Sequence, residues 1–329
     1  MDKSSSFYIL IIVASYWIIS ISTVFINKYL LSDNSAELNV PFFITWFQAV
    51  CSVIIVLATK MFMRSQNMIQ DPVASIDLSK CWRLVPLSIV FCGMTSFNNL
   101  SLQYLGIAFY YVARSLSTIF NVIFTYALLR GKTSLKAIGC CGLLMIGYII
   151  GSVAENEKGK LSYWGLFFGV MASACVALNS ILTKKFMNEV ESNIWSLSLY
   201  NNINCCVIFI PIILIAGEHH SVYDSNFMVD HVFWALMFLG GVFGFSIGFV
   251  AALQIKYTSP LTHNVSGTAK AAFQTILGVI VYTEVKSAIW WFGNALVLVS
   301  SSLYTYVRHR EMNKPIITTK EKELLIEQA

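Results

Sequence analysis

Long apolar stretches, separated by brief polar joins, organise this chain from end to end. Ten of them run 7–30, 40–63, 83–103, 107–129, 135–153, 161–183, 194–216, 230–254, 260–282 and 288–307. Each is close to the twenty or so residues an α-helix needs to cross about 30 Å of hydrocarbon. The pattern therefore predicts ten transmembrane helices with short connections and no soluble domain. The first stretch is too long, and too polar at its end (Ser20, Ser22, Thr23, Asn27), for a cleaved signal peptide, so it is expected to be retained.

The same pattern repeats weakly but in order. Phe47–Ile54 aligns with Asn201–Ile208 at an offset of 154 residues, Gly93 and Leu102-Gln103 with Gly244 and Leu253-Gln254 at 151, and Ser134 with Ser287 at 153. Five stretches per copy is an odd number, so the second copy enters the membrane inverted. Inverted repeats are typical of secondary transporters, whose substrate site lies at the repeat interface near the bilayer midplane.

Polar positions inside the apolar runs sharpen this. Tyr110, Arg114, Ser117 and Asn121 share one helix face, and 153 residues on the same positions read His263, Gly267, Lys270 and Gln274. Arg114 and Lys270 are cations at membrane depth, in runs without a carboxylate. A charge there costs several kcal/mol unless it meets a partner or water, which makes such residues functional candidates. The bland alternative is a pair of polar packing seams, but a seam does not require unpaired cations. Two positive charges match a diphosphate ester, with Arg gripping bidentately and Lys acting as a point charge. Gly267 beside Ser266 would let a ligand approach closely. Leu199-Tyr-Asn-Asn202 adds an aromatic face and two carboxamides, which suit a nucleobase edge as well as they suit ordinary polar packing.

Composition confirms the class and sets the orientation. The 329 residues are 57% hydrophobic and 12% charged, against about a quarter charged in soluble domains. Placing the N-terminus in the cytosol puts sixteen Lys and Arg residues on the cytosolic side and four on the other, so both termini are expected in the cytosol. The net charge of +5 follows from that bias and from the two buried cations, and gives no reason to invoke nucleic acid. The eight cysteines lie in or beside apolar stretches, which argues against a disulfide framework. The sequence carries no Walker loop, no metal-ligand spacing and no nucleophile–base set, so no catalytic residue, metal or cofactor is expected.

Four segments carry a resemblance: Phe25-Ile-Asn-Lys-Tyr-Leu-Leu31, Val112-Ala-Arg-Ser-Leu-Ser117, Leu199-Tyr-Asn-Asn202 and Ser259-Pro-Leu-Thr-His-Asn-Val-Ser-Gly-Thr-Ala-Lys-Ala271. Through them the chain resembles, over nearly its full length, the nucleotide-sugar transporters of the drug/metabolite transporter superfamily. In the related GDP-mannose transporters, a Phe-Tyr-Asn-Asn motif contacts guanine and a Gly-Ala-Leu-Asn-Lys motif contacts phosphate and sugar. The resemblance thus implies Tyr200, Asn201 and Asn202 as base readers, Lys270 as a phosphate or sugar contact, and Tyr16 as a substrate-contacting tyrosine. Here Ser266-Gly-Thr-Ala-Lys270 replaces the second motif and loses the Asn before the Lys, which counts against mannose.

The expected architecture is an all-α polytopic membrane protein, ten transmembrane helices as two inverted five-helix repeats (1–153 and 154–310) with a disordered cytosolic tail, 311–329. The candidate substrate-binding residues are Tyr16, Asn98, Tyr110, Arg114, Tyr200, Asn201, Asn202, His263, Asn264, Ser266, Gly267 and Lys270. The resemblance implies a Golgi membrane antiporter, as monomer or homodimer, that carries GDP-fucose into the lumen and returns GMP by alternating access. Another GDP-sugar or a phosphorylated metabolite is the alternative cargo. A receptor or intramembrane enzyme would need a signalling domain, nucleophile or metal cluster.

Overall fold

In hydrocarbon each backbone N–H and C=O must find a partner within its own segment, so apolar runs of this length become helices. The computed structural model describes residues 3–31, 40–65, 77–105, 110, 113–129, 134–156, 162–191, 193–224, 231–257, 260–283 and 285–312. Among the described residues every regular element is helical: α1 (Lys3–Leu30), α2 (Pro41–Ser65), α3 (Leu78–Arg83), α4 (Val85–Tyr104), α5 (Ser117–Leu129), α6 (Leu135–Asn156), α7 (Tyr163–Phe186, extended by a 3₁₀ turn, Met187–Val190), α8 (Ile194–Ile215), α9 (Glu218–Asp224), α10 (His231–Tyr257), α11 (Pro260–Val281) and α12 (Ala288–Met312). Among the described residues seven are long and apolar enough to cross a membrane: α1, α2, α4, α6, α7, α8 and α10. The expected tail falls outside the described residues beyond Met312.

Side chains at the joins start the helices where the apolar runs begin. Asn193 Oδ1 accepts from Trp195 N at 2.9 Å and Ser196 N at 3.3 Å to open α8, and Ser162 Oγ accepts from Gly165 N at 3.2 Å to open α7. Two connections hold helical turns that their polarity conceals, α3 and α9. Between α3 and α4 the chain breaks at Leu84, because Pro86 offers no N–H and ends the continuous ladder. Asn204 on α8 covers the break, donating from Nδ2 to Cys81 O at 2.8 Å.

A second irregularity follows Arg114. The expected single face from Tyr110 to Asn121 is interrupted at Ser115–Leu116, where Leu116 N bonds to Ala113 O at 3.2 Å and Thr118 N to Ser115 O at 3.1 Å, three residues back instead of four. Packing against α7 holds this segment. Ser173 Oγ donates to Ala113 O at 2.9 Å, and a Cβ on Gly169 would come within 3.0 Å of Ala113 Cβ.

Lipid tails are as apolar as leucine, so helices associate through close backbone approach and interhelical hydrogen bonds. The seam between α6 and α12 is built on glycine: a Cβ at Gly147 would lie 2.8 Å from Gly293 O, and one at Gly293 would lie 2.8 Å from Gly151 N. A buried polar chain ties α1, α2 and α4. Gln48 Nε2 donates to Asn27 Oδ1 (2.9 Å), Asn27 Nδ2 to Asn99 Oδ1 (3.2 Å), and Asn99 Nδ2 to Thr45 Oγ1 (2.8 Å). Lys28 Nζ then caps α4 at Leu102 O (2.6 Å) and Leu105 O (3.0 Å). Asn27 and Lys28 of the first quoted motif therefore fasten α1 to α4.

Ion pairs differ between regions. Lys286 Nζ meets both Glu155 oxygens at 2.7 and 2.8 Å, with both side chains buried, and joins the ends of α6 and α12. Lys80–Glu191 (3.1 Å) and Arg83–Glu189 (3.3 Å) link α3 to the turn after α7 at the surface. Glu218 is buried and accepts from Phe42 N (3.0 Å) and Phe43 N (2.7 Å) at the start of α2.

Candidate substrate site

The site begins on α1. Tyr16, Ser20, Thr23 and Asn27 recur at four, three and four residues, which puts them on one face, and all four are buried. Tyr16 and Ser20 meet Lys270 from α11, itself only 4% exposed. Lys270 Nζ donates to Ser20 Oγ and to Tyr16 Oη (3.3 Å) and stands 4.4 Å from the Tyr16 ring centroid. The hydroxyls supply lone pairs and the ring supplies a negative face for the ammonium. Among the described residues Lys270 takes part in no ion pair. One turn earlier on α11, Ser266 Oγ accepts from Trp17 Nε1 at 2.9 Å, fixing α11 to α1 a second time.

Arg114 approaches from the irregular segment before α5. Its Nη1 donates to Tyr110 Oη at 3.4 Å, and Tyr110 Oη donates to Asn98 Oδ1 at 2.9 Å. The guanidinium lies close enough to Tyr16 and Lys270 for its charge to act on both. Two like charges thus share one buried region, each beside a tyrosine hydroxyl, an arrangement that favours an incoming anion. A Cβ at Gly267 would meet nothing within 4 Å among the described residues, so their packing does not require glycine there.

Of the expected residues, the structure groups Tyr16, Tyr110, Arg114 and Lys270, with Asn98 and Ser266 attached by hydrogen bonds. Tyr200, Asn201 and Asn202 form a second group near the start of α8. Tyr200 is buried among Cys81, Leu84, Leu87, Val190 and Leu197, and its hydroxyl accepts from Asp77 N at 3.1 Å. Asn202 Nδ2 donates to Ser198 O at 2.8 Å, while Asn201 Oδ1 is buried without a hydrogen-bond partner among the described residues. His263 and Asn264 fall within α11, but their side chains lie outside the described residues. Sequence reasoning missed Ser20 and Trp17. The four-three-four spacing of the α1 stripe would have revealed Ser20; Trp17 sits off that stripe and carries no such signal.

A family model described as the Triose-phosphate Transporter family matches residues 7–305. The chain belongs to this family. Relatives within it are close. The GDP-fucose transporter 1 of Nematostella vectensis is 50% identical over 304 residues, covering 92% of this chain and 90% of that protein. The GDP-fucose transporter 1 of Mus musculus is 47% identical over 311 residues, covering 93% and 85%. The protein called GDP-fucose transporter, Golgi, of Drosophila melanogaster is 43% identical over 306 residues, covering 92% and 91%. These relatives bear out the resemblance to nucleotide-sugar transporters. A solved crystal structure 13% identical covers 92% of this chain and 99% of its own at a TM-score of 0.57, a likeness of fold alone.

Proposed function

We propose that this protein is an antiporter of the Golgi membrane that carries GDP-fucose from the cytosol to the lumen in exchange for GMP. The observation that carries the reading is the pair of neighbouring cations, Arg114 and Lys270, with no carboxylate bonded to Lys270 among the described residues. The names of the relatives supply the cargo. GDP-fucose and GMP each carry about two negative charges near neutral pH, so one fixed pair of cations serves both and exchange is nearly electroneutral. An empty carrier keeps two neighbouring positive charges and reorients slowly, which couples export to import.

The proposed architecture is ten spans in two inverted five-helix repeats, 1–153 and 154–310, with both termini cytosolic. Packing supports it. Exchanging the halves (α1 with α7, α2 with α8, α4 with α10, α5 with α11, α6 with α12) carries the α4–α7 contact onto α1–α10 and α2–α10 onto α4–α8. It returns α2–α8 and α6–α12 to themselves. Alternating access then arises as the halves swap conformations around the cations. In this reading Tyr200, Asn201 and Asn202 read guanine, Asn98, His263 and Asn264 complete the binding surface, and Tyr200 leaves Asp77 N to do so.

Uptake of labelled GDP-fucose into liposomes that contain the purified protein tests the proposal. Uptake should be fast with GMP inside and barely detectable in empty vesicles. Equal rates would make the protein a uniporter. Uptake of a sugar phosphate in preference to any GDP-sugar would favour the alternative suggested by the family's description.

A further inference from the structure

Two carboxamides, one on α11 beyond Lys270 and one on the adjoining α12, each bury an amide atom without a partner among the described residues. Gln274 lies four residues beyond Lys270 on α11, one turn along the same face and about 6 Å further by helix rise. It is 1% exposed and its Nε2 meets no hydrogen-bond partner. Asn294 on α12, which packs against α11, is 2% exposed and its Oδ1 is likewise unpartnered. Asn294 shares a face with Ser301 and Thr305, all three buried. On that face Ser301 Oγ lies 3.3 Å from Oγ1 of Thr118 on α5, four residues beyond Arg114. Gln274 thus follows Lys270 on α11, and the face of α12 that carries Asn294 reaches α5 four residues from Arg114.

An unmade hydrogen bond in a dry interior is costly, and packing alone would be served better by an apolar side chain of the same shape. One group is a free donor and the other a free acceptor. A hydroxyl satisfies both, since it accepts from one and donates to the other. Neither carries charge, so they suit the uncharged part of a substrate whose phosphates sit on Arg114 and Lys270. Resting on the nucleotide-sugar reading above, we propose that Gln274 and Asn294 form a neutral subsite that binds the hydroxyls of the transported sugar.

Thermal-shift titrations with GDP-fucose and with GMP would test this on the full-length protein, comparing wild type with Gln274→Leu, Gln274→Met and Asn294→Leu. Ligand-free unfolding temperatures should be unchanged or higher, because each change removes an unpaired buried polar group. Affinity for GDP-fucose should fall about tenfold relative to GMP, whose affinity should change by less than about twofold. Equal weakening of both ligands would assign the amides to the nucleotide and overturn the proposal. So would no change in either, or a loss of ligand-free stability in all three variants. A wild type that binds GMP but not GDP-fucose would instead sink the proposed cargo; the same ratio, taken with whichever GDP-sugar binds, would still decide the subsite.

Discussion

Lys286 and Lys270 stand sixteen residues apart in the chain, and both are buried against an aromatic ring. Lys286 lies 5.0 Å from the Trp290 ring and Lys270 lies 4.4 Å from that of Tyr16. They differ in how the charge is met. Lys286 has a carboxylate on two short contacts, whereas Lys270 has two hydroxyls and a second cation nearby. The first charge is neutralised within the protein and ties two helix ends together. The second is solvated but, among the described residues, not neutralised, which leaves it available to an anion from outside. Glu218 stands between these cases, with two backbone N–H donors from α2 as partners and no cation bonded to it among the described residues.

Removing each charge in turn separates the roles. The largest effect on stability is expected for Lys286→Met, which strands Glu155 in a dry site. A cost of about 3–5 kcal/mol is expected, read as a lower unfolding temperature in detergent, and Lys286→Met with Glu155→Leu should recover most of it. If the single variant unfolds like wild type, the pair is not structural. Lys270→Met should do the opposite. Its unfolding temperature should hold or rise while GMP-driven uptake of GDP-fucose falls about a hundredfold, close to 2.7 kcal/mol. Arg114→Lys should cost about tenfold in uptake, because the planar fork is lost while the charge is kept. Full activity in either variant would reduce the cations to packing.

The smallest effect concerns Glu218. Burial raises its carboxyl above the ordinary range, against the pull of the two N–H donors. A carboxyl so raised holds its proton more tightly in the folded state than in the unfolded state. Its contribution to stability is therefore present below the unfolded value and is lost as pH climbs through the folded one. Glu218→Gln should flatten the fall of unfolding temperature as pH rises above the ordinary glutamate value of about 4.3. An unchanged slope would mean that the two N–H donors outweigh burial.

Much of this was legible in the sequence because bilayer thickness and backbone satisfaction leave few options. The expected stretch 40–63 became Pro41–Ser65, and 194–216 became Ile194–Ile215. Arg114 and Lys270 stood out because charge is rare in such runs, and they do lie together. The break at Leu84 is signalled by Pro86, which the pattern of apolar residues alone overlooks, whereas the tight turn at Ser115–Leu116 left no mark. Tyr200 shows a deeper limit. Its type fits base stacking, yet its hydroxyl holds Asp77 N and its ring packs among aliphatic side chains. Residue type names a set of chemistries, and long-range packing selects among them.

The glycine seam of α6 and α12 bears on inheritance. Every substitution at Gly147 or Gly293 adds at least a Cβ, and there the neighbouring backbone lies 2.8 Å away. Even the mildest missense change would force the helices apart. Alleles altered at either codon should therefore act as loss of function through misassembly, although neither position is among the proposed substrate-binding residues, and a chaperoning ligand that binds at the cations would be the rational means of rescue.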